Sequence, residues 1–143
     1  MIIKTGDKPL SFLLVEDDQV DIMNLKRAFK KNEIENPLHI AGNGIEALEM
    51  LRNKQLIPEP KIILLDINMP KMNGLEFLKE LRKDEELKSL MVFVMTTSNE
   101  DSDKIEAYNF NVAGYILKPV SFDRFSDAVK KLSDFWSIIE FKS

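Results

Sequence analysis

Short unbroken apolar blocks alternate along this chain with stretches in which apolar residues recur every three or four positions. Phe12-Leu13-Leu14-Val15 stops abruptly at Glu16-Asp17-Asp18 and predicts a buried strand. From Gln19 to about Lys31, Ile22, Leu25 and Phe29 recur at helical spacing with Lys and Arg between them. Pro37 to Ala41 predicts a second strand, and Asn43-Gly44 opens a helix with Ala47, Leu48 and Leu51 on one face. Pro58 and Pro60 break the chain before Ile62-Ile63-Leu64-Leu65, a third strand that ends at Asp66. The run Asn68 to Gly74 reads as a loop, followed by a helix with Leu75, Leu78 and Leu81 at spacings of three. Leu90 to Met95 predicts a fourth strand ending in Thr96-Thr97-Ser98, and Ser98 with Asp101 resembles a capping box for the next helix. Tyr115-Ile116-Leu117 predicts a fifth strand ended by Lys118-Pro119. Ser121 then reads as the N-cap of a last helix, with Phe122, Phe125, Val129 and Leu132 on one side.

Five strands alternating with five helices predict an α/β domain built on a parallel sheet. The strands are apolar without alternation, as helices on both faces of the sheet require. A length of 143 residues without repeat or linker predicts one domain over residues 1–143. Its core is expected at about 11–136, between a short N-terminal tail and a C-terminal extension. Composition then narrows the chemistry. Cysteine is absent, which excludes disulfides, thiolate zinc sites and cysteine nucleophiles. A single histidine, His39, argues against a serine–histidine triad or a multi-histidine metal site. A formal net charge of −4 argues against a general affinity for nucleic acid. The apolar runs are too short for a membrane span, and the first residues lack a signal-peptide apolar region. The expectation is a soluble cytoplasmic protein.

The informative polar residues fall at strand ends. Glu16-Asp17-Asp18 follows the first strand, Asp66 the third, Thr96 the fourth and Lys118 the fifth. A doubly wound sheet binds ligands at the carboxyl ends of its strands, where the strand order reverses. With order 2-1-3-4-5, the carboxylates ending strands one and three converge. Converging carboxylates repel and call for a cation, and oxygen donors without histidine or cysteine suit Mg²⁺. A carboxylate can also act as a nucleophile and form an aspartyl phosphate. Phosphoryl transfer chiefly needs positioning and charge neutralisation, which Mg²⁺ and Lys118 could supply.

On these residues the chain resembles the receiver domains of two-component response regulators. The resemblance runs from about Ser11 to Phe135. It rests on Leu14-Val15-Glu16-Asp17-Asp18, Leu65-Asp66-Ile67-Asn68-Met69-Pro70 with Gly74, Thr96-Thr97, and Tyr115-Ile116-Leu117-Lys118-Pro119. The resemblance implies a flavodoxin-like receiver fold and a phosphorelay function. Asp66 would take the phosphoryl group from a sensor histidine kinase or phosphotransfer protein. Asp17, Asp66 and the Asn68 backbone carbonyl would bind Mg²⁺ directly, with Glu16 acting largely through water. Lys118 would pair with the phosphoryl group, Thr96 would donate its hydroxyl to it, and Tyr115 would move inward as Thr96 shifts. Pro70, Gly74 and Pro119 would shape the loops around the site. Thr97 is larger than the residue many receivers carry there, and Asn68 and Ser98 fall where the family tunes phosphate lifetime. The segment Lys83 to Leu90 and the ending Phe135-Trp136 resemble stand-alone receivers paired with bacterial phytochromes.

Plainer readings exist for each feature. Glu16-Asp17-Asp18 could only cap a helix, Lys118-Pro119 could be an exposed turn, and Tyr115 could be core. Met69 and Met72 read as loop packing, and His39 as structural or exposed, away from the site. Three rival functions are a phosphorylation-independent binding module, a metal-dependent phosphohydrolase and a mononucleotide-binding fold. The first should have lost the acids or the lysine. The second needs an acid where Asn68 stands, and the third needs a glycine-rich loop after the first strand. The chain ends too soon after its last helix for an output domain, so a signalling protein that passes its message to a downstream protein is expected, not an enzyme. Phe135, Trp136, Ile138, Ile139 and Phe141 either fold back on the domain or form a homodimer interface with the C-terminal helix.

Overall fold

A computed structural model describes residues 2–5, 7–67, 69, 72–96, 109–117 and 127. A hairpin of β1 (Lys4–Thr5) and β2 (Lys8–Pro9) leads into the main sheet. That sheet contains β3 (Ser11–Val15), β4 (Leu38–Ala41), β5 (Lys61–Asp66), β6 (Met91–Thr96) and β7 (Gly114–Leu117). Helices α1 (Gln19–Lys31), α2 (Gly44–Arg52) and α3 (Gly74–Lys83) connect the first four of them. The strands run parallel in the order β4-β3-β5-β6-β7, the predicted 2-1-3-4-5. The two further predicted helices, with Ser98, Ser121 and the C-terminal apolar run, lie outside the described residues.

The alternation along each strand divides the core in two. Leu13, Val15, Ile63, Leu65, Val92 and Val94 face α2 and α3 and pack with Ala47, Leu48, Leu51, Phe77, Leu78 and Leu81. Phe12, Leu14, Ile62, Leu64 and Met95 face the other way and pack with Ile22, Leu25, Ala28 and Phe29 of α1. The Phe12 and Phe29 rings meet edge to face, with centroids 5.2 Å apart. Every residue of β3 and β5 is buried, which explains why neither strand shows an alternating pattern. The edge strand β4 is buried less completely.

Two expectations change. Residues ahead of Ser11 are not a tail, because Ile3 and Leu10 are fully buried and lie under the α1 face of the sheet. The Asn36 side chain holds them there. Its oxygen accepts from the Ile3 N–H at 2.8 Å, and its amide donates to the Ile3 and Leu10 carbonyls at 2.7 Å each. The buried face of α3 is Gly74, Phe77, Leu78 and Leu81, with Leu75 only half-buried. A spacing of three drifts around a helix of 3.6 residues per turn, so Phe77 displaces Leu75 from the centre of that face.

Candidate metal and phosphoryl site

The parallel register brings the acids together. Val15 pairs with Leu65, so Glu16, one residue on, stands beside Asp66, the last residue of β5. The Glu16 N–H donates to the Ala41 carbonyl at 2.9 Å, which fixes the backbone at the end of β3 to the end of β4. Asp18 is the N-cap of α1, and its carboxylate accepts from the Val20 and Asp21 N–H groups at 2.8 and 3.3 Å. Helix capping therefore accounts for the third acid of the run and leaves the first two for the strand end. Carboxylate oxygens of Glu16, Asp17 and Asp66 lie within 4.8 Å of one another. Glu16 is 1% exposed and Asp66 6% exposed, while Asp17 faces solvent.

Such a group is costly by itself, because neighbouring carboxylates disfavour one another's ionised forms and burial disfavours them further. A divalent cation removes that penalty. The donors are all hard oxygens, the set that Mg²⁺ and Mn²⁺ accept and that zinc or copper sites seldom use alone. On donor chemistry the residues fit a small divalent cation, with Asp17 at the solvent side.

Behind Asp66 the backbone is packed without slack. The Gly74 N–H donates to the Ile67 carbonyl at 2.8 Å. A Cβ at Gly74 would sit 2.5 Å from the Ile67 Cα and 2.7 Å from the Asp66 carbonyl oxygen. Only glycine lets α3 begin this close to the acid-bearing strand end. Asn73 caps α3 by accepting from the Glu76 N–H at 3.0 Å.

The other sequence-predicted residues divide into two groups. Thr96 ends β6 one residue beyond Met95, the register partner of Asp66, so its backbone lies at the same end of the sheet. Tyr115 lies in β7 opposite Val94 and is half-buried against the α2–α3 core. Asn68, Pro70, Thr97, Lys118 and Pro119 lie outside the described residues. His39 pairs with Leu13 in β4, and its Nε2 is buried with no hydrogen-bond partner among the described residues. Sequence reasoning passed over Ala41 and Gly44, whose contribution to the site surroundings is made by the backbone. The only sequence signal for either was a glycine at the first position of a helix, where better helix formers are available.

Comparison with known proteins supplies the family. Residues 12–130 match the response regulator receiver domain. Response regulator Rcp1 of Synechocystis sp. is 33% identical over 134 residues, covering 92% of this chain and 91% of its own length. The crystal structure of the Mn²⁺-bound form of Rcp1 matches with a TM-score of 0.76 at 31% identity, over 94% of this chain and 100% of that one. A two-component response regulator from Legionella pneumophila is 39% identical, with a TM-score of 0.75 over 88% of this chain and 98% of its own. The phosphorylated cyanobacterial phytochrome response regulator RcpA gives 32% identity and a TM-score of 0.74, over 88% and 92% of the two chains. The predicted likeness to phytochrome-linked receivers is therefore found across nearly the whole chain. With its parallel sheet, its strand-end acids and this match over most of its length, the chain belongs to the response regulator receiver domain family, the signalling proteins of phosphorelays.

Proposed function

We propose that Asp66 accepts a phosphoryl group from a phosphohistidine on a sensor histidine kinase or phosphotransfer protein, and that the phosphorylated domain signals to a downstream protein. The observation that carries this reading is the gathering of Glu16, Asp17 and Asp66 within 4.8 Å at the carboxyl end of a buried parallel sheet. Receiver domains hold Mg²⁺ or Mn²⁺ in an acidic pocket of this kind. Here Mg²⁺ is the proposed cofactor, held by Asp17, Asp66 and the Asn68 backbone carbonyl, with Glu16 acting mainly through water. When bound, it neutralises the charge of the incoming phosphoryl group.

The chain's own residues then do the following. An Asp66 carboxylate oxygen attacks phosphorus, the bond from phosphorus to the donor's imidazole nitrogen breaks, and that nitrogen takes up a proton. The buried wall around Asp66 limits water at the acyl phosphate so formed. Lys118 pairs with the phosphoryl oxygens, Thr96 donates its hydroxyl to them, and Thr97 borders the approach of the donor. The shift of Thr96 draws Tyr115 inward and alters the surface beside β7, a population shift biased by one local charge. Pro70, Gly74 and Pro119 hold the loops in which these groups sit. Such a protein changes its own phosphorylation state without turning over an external substrate, so it is a signalling protein and not an output enzyme.

A cytoplasmic location fits this role, and among the described residues no helix is long and apolar enough to cross a membrane. Nucleic acid is not a proposed partner, in keeping with the net charge of −4. A homodimer through the C-terminal segment completes the reading; light scattering that finds a monomer with and without phosphate would remove that part.

The decisive experiment is intact mass after incubation with Mg²⁺ and a small acyl phosphate, for wild type and Asp66→Asn. The wild type should gain one phosphoryl group, and the gain should vanish with chelator or with the substitution. A wild type that gains nothing from the small donor or from a phosphohistidine donor would leave the binding-module reading in its place.

A further inference from the structure

The turn between β4 and α2 touches both walls of the acid cluster. At its start the Ala41 carbonyl accepts the Glu16 N–H at 2.9 Å. At its end the Gly44 N–H donates to the Met72 carbonyl at 3.3 Å, in the loop that follows Asp66. The Met72 side chain lies directly over Gly44. A Cβ at position 44 would meet Met72 Cγ at 2.8 Å, Sδ at 2.9 Å and Cβ at 3.0 Å, so a side chain there must displace the methionine. The turn itself is closed by local contacts. Ala41 is fully buried, the Asn43 side chain accepts from the Glu46 N–H at 2.9 Å, and the Gly42 N–H donates to the Glu46 carboxylate at 3.2 Å.

The loop after Asp66 is thus pinned at two places, at Gly74 on Ile67 and at Met72 on Gly44. The first pin belongs to the loop's own strand and helix. The second ties the loop to the element that also anchors Glu16.

We propose that the turn 41–44, through the seat of Met72 on Gly44, is a positioning element of the cation site, setting the separation between the Glu16–Asp17 wall and the loop that follows Asp66. This rests on reading Glu16, Asp17 and Asp66 as a divalent-cation site. Neither Gly44 nor Met72 touches the cation; both act through the backbone that carries its ligands. Supporting residues of this kind typically change metal affinity by about 10- to 100-fold, because a ligand set must be held within about 0.5 Å of its working geometry.

Mn²⁺ affinity, read from the free-ion electron paramagnetic resonance signal, tests the proposal on the full chain. Gly44→Ala should bind Mn²⁺ about tenfold more weakly than wild type. Met72→Ala alone should also weaken binding. Together the two should lose less than the sum of their separate effects, since the smaller side chain frees the space that the new methyl needs. Melting temperatures in chelator, measured in parallel, separate this from a general loss of stability, which would lower melting without moving the affinity of the folded protein. Unchanged affinity in folded Gly44→Ala overturns the proposal. Should Gly44→Ala fail to fold, Met72→Ala decides alone, and wild-type affinity there overturns it equally. A wild type that binds no Mn²⁺ instead refutes the cation site and takes the positioning role with it.

Discussion

The two ends of the main sheet treat buried polar groups in opposite ways. At the amino end, the half-buried Arg82 and the buried Asn36 and Lys61 are each met by a complement. The Arg82 guanidinium donates to the carbonyls of Phe110 at 2.6 Å, Lys88 and Leu90 at 2.8 Å, and Asn111 at 3.1 Å. It thereby binds the end of α3 to the segments entering β6 and β7. Asn36 serves the hairpin in the same manner, and the buried Lys61 ammonium pairs with Glu59 at 3.1 Å. At the carboxyl end, Glu16, Asp17 and Asp66 bring like charges within 4.8 Å. The first arrangement stabilises the fold. The second gathers negative charge of the kind that a divalent cation complements. Cross-linking hydrogen bonds at one end and a gathering of acids at the other thus distinguish the two ends of the sheet.

Substitutions at the two ends should therefore differ in sign. The largest effect is expected for Arg82→Ala, which leaves four carbonyls without their donor and should lower stability by roughly 3 kcal/mol. Urea unfolding measures it, and Mn²⁺ affinity should stay near wild type; a parallel loss of affinity would break the division between the ends. Asn36→Ala should cost about 2 kcal/mol, because the Ile3 N–H is left buried without an acceptor. A loss below a few tenths would mean that the hairpin is not docked through this amide.

At the carboxyl end the sign should invert. In chelator, Asp66→Asn should be more stable than wild type by about 1 kcal/mol through relief of repulsion. Added Mg²⁺ should reverse the ranking, since only the wild type keeps the full ligand set. A variant less stable than wild type under both conditions would show that Asp66 is structural.

The smallest effect concerns Asp84, just beyond α3. The Glu86 N–H bonded to its carboxylate at 2.9 Å, with Arg52 at 3.4 Å, holds its pKa below the ordinary carboxylate value, outweighing a smaller opposing push from desolvation. A depressed carboxylate contributes stability above its unfolded pKa and loses it as pH falls through the folded value. Comparison of wild type with Asp84→Asn should thus show a small advantage for wild type at neutral pH that fades in acid. Salt should weaken the Arg52 part of it, because the Arg52 side chain is more than half exposed.

Much of this was legible in the residues themselves. Unbroken apolar runs that end in acids marked β3 and β5 and placed Glu16, Asp17 and Asp66 at strand ends, because burial on both faces removes the alternation of a half-exposed strand. Helix capping was legible for the run Glu16-Asp17-Asp18 as a whole, and the structure gives that role to Asp18. Other features were not legible. The contribution of Ile3 and Leu10 to the core depends on Asn36, 33 residues from one of them along the chain and 26 from the other. Nothing in the short polar stretch around them has a period to read. The preference of α3 for Phe77 over Leu75 turned on helical phase, which a count of leucines does not fix.

The sequence by itself therefore determined the order of the five main strands and the three described helices, the chemistry of the strand ends and the family likeness, since each rests on local pattern. Tertiary structure alone decided what meets across the chain. Parallel register put Glu16 beside Asp66, close packing put Gly74 against Ile67 and Met72 over Gly44, and long-range hydrogen bonding put Arg82 among four carbonyls. Such contacts join residues far apart in the chain, and they form only when burial of the two apolar faces fixes how the strands and helices stack.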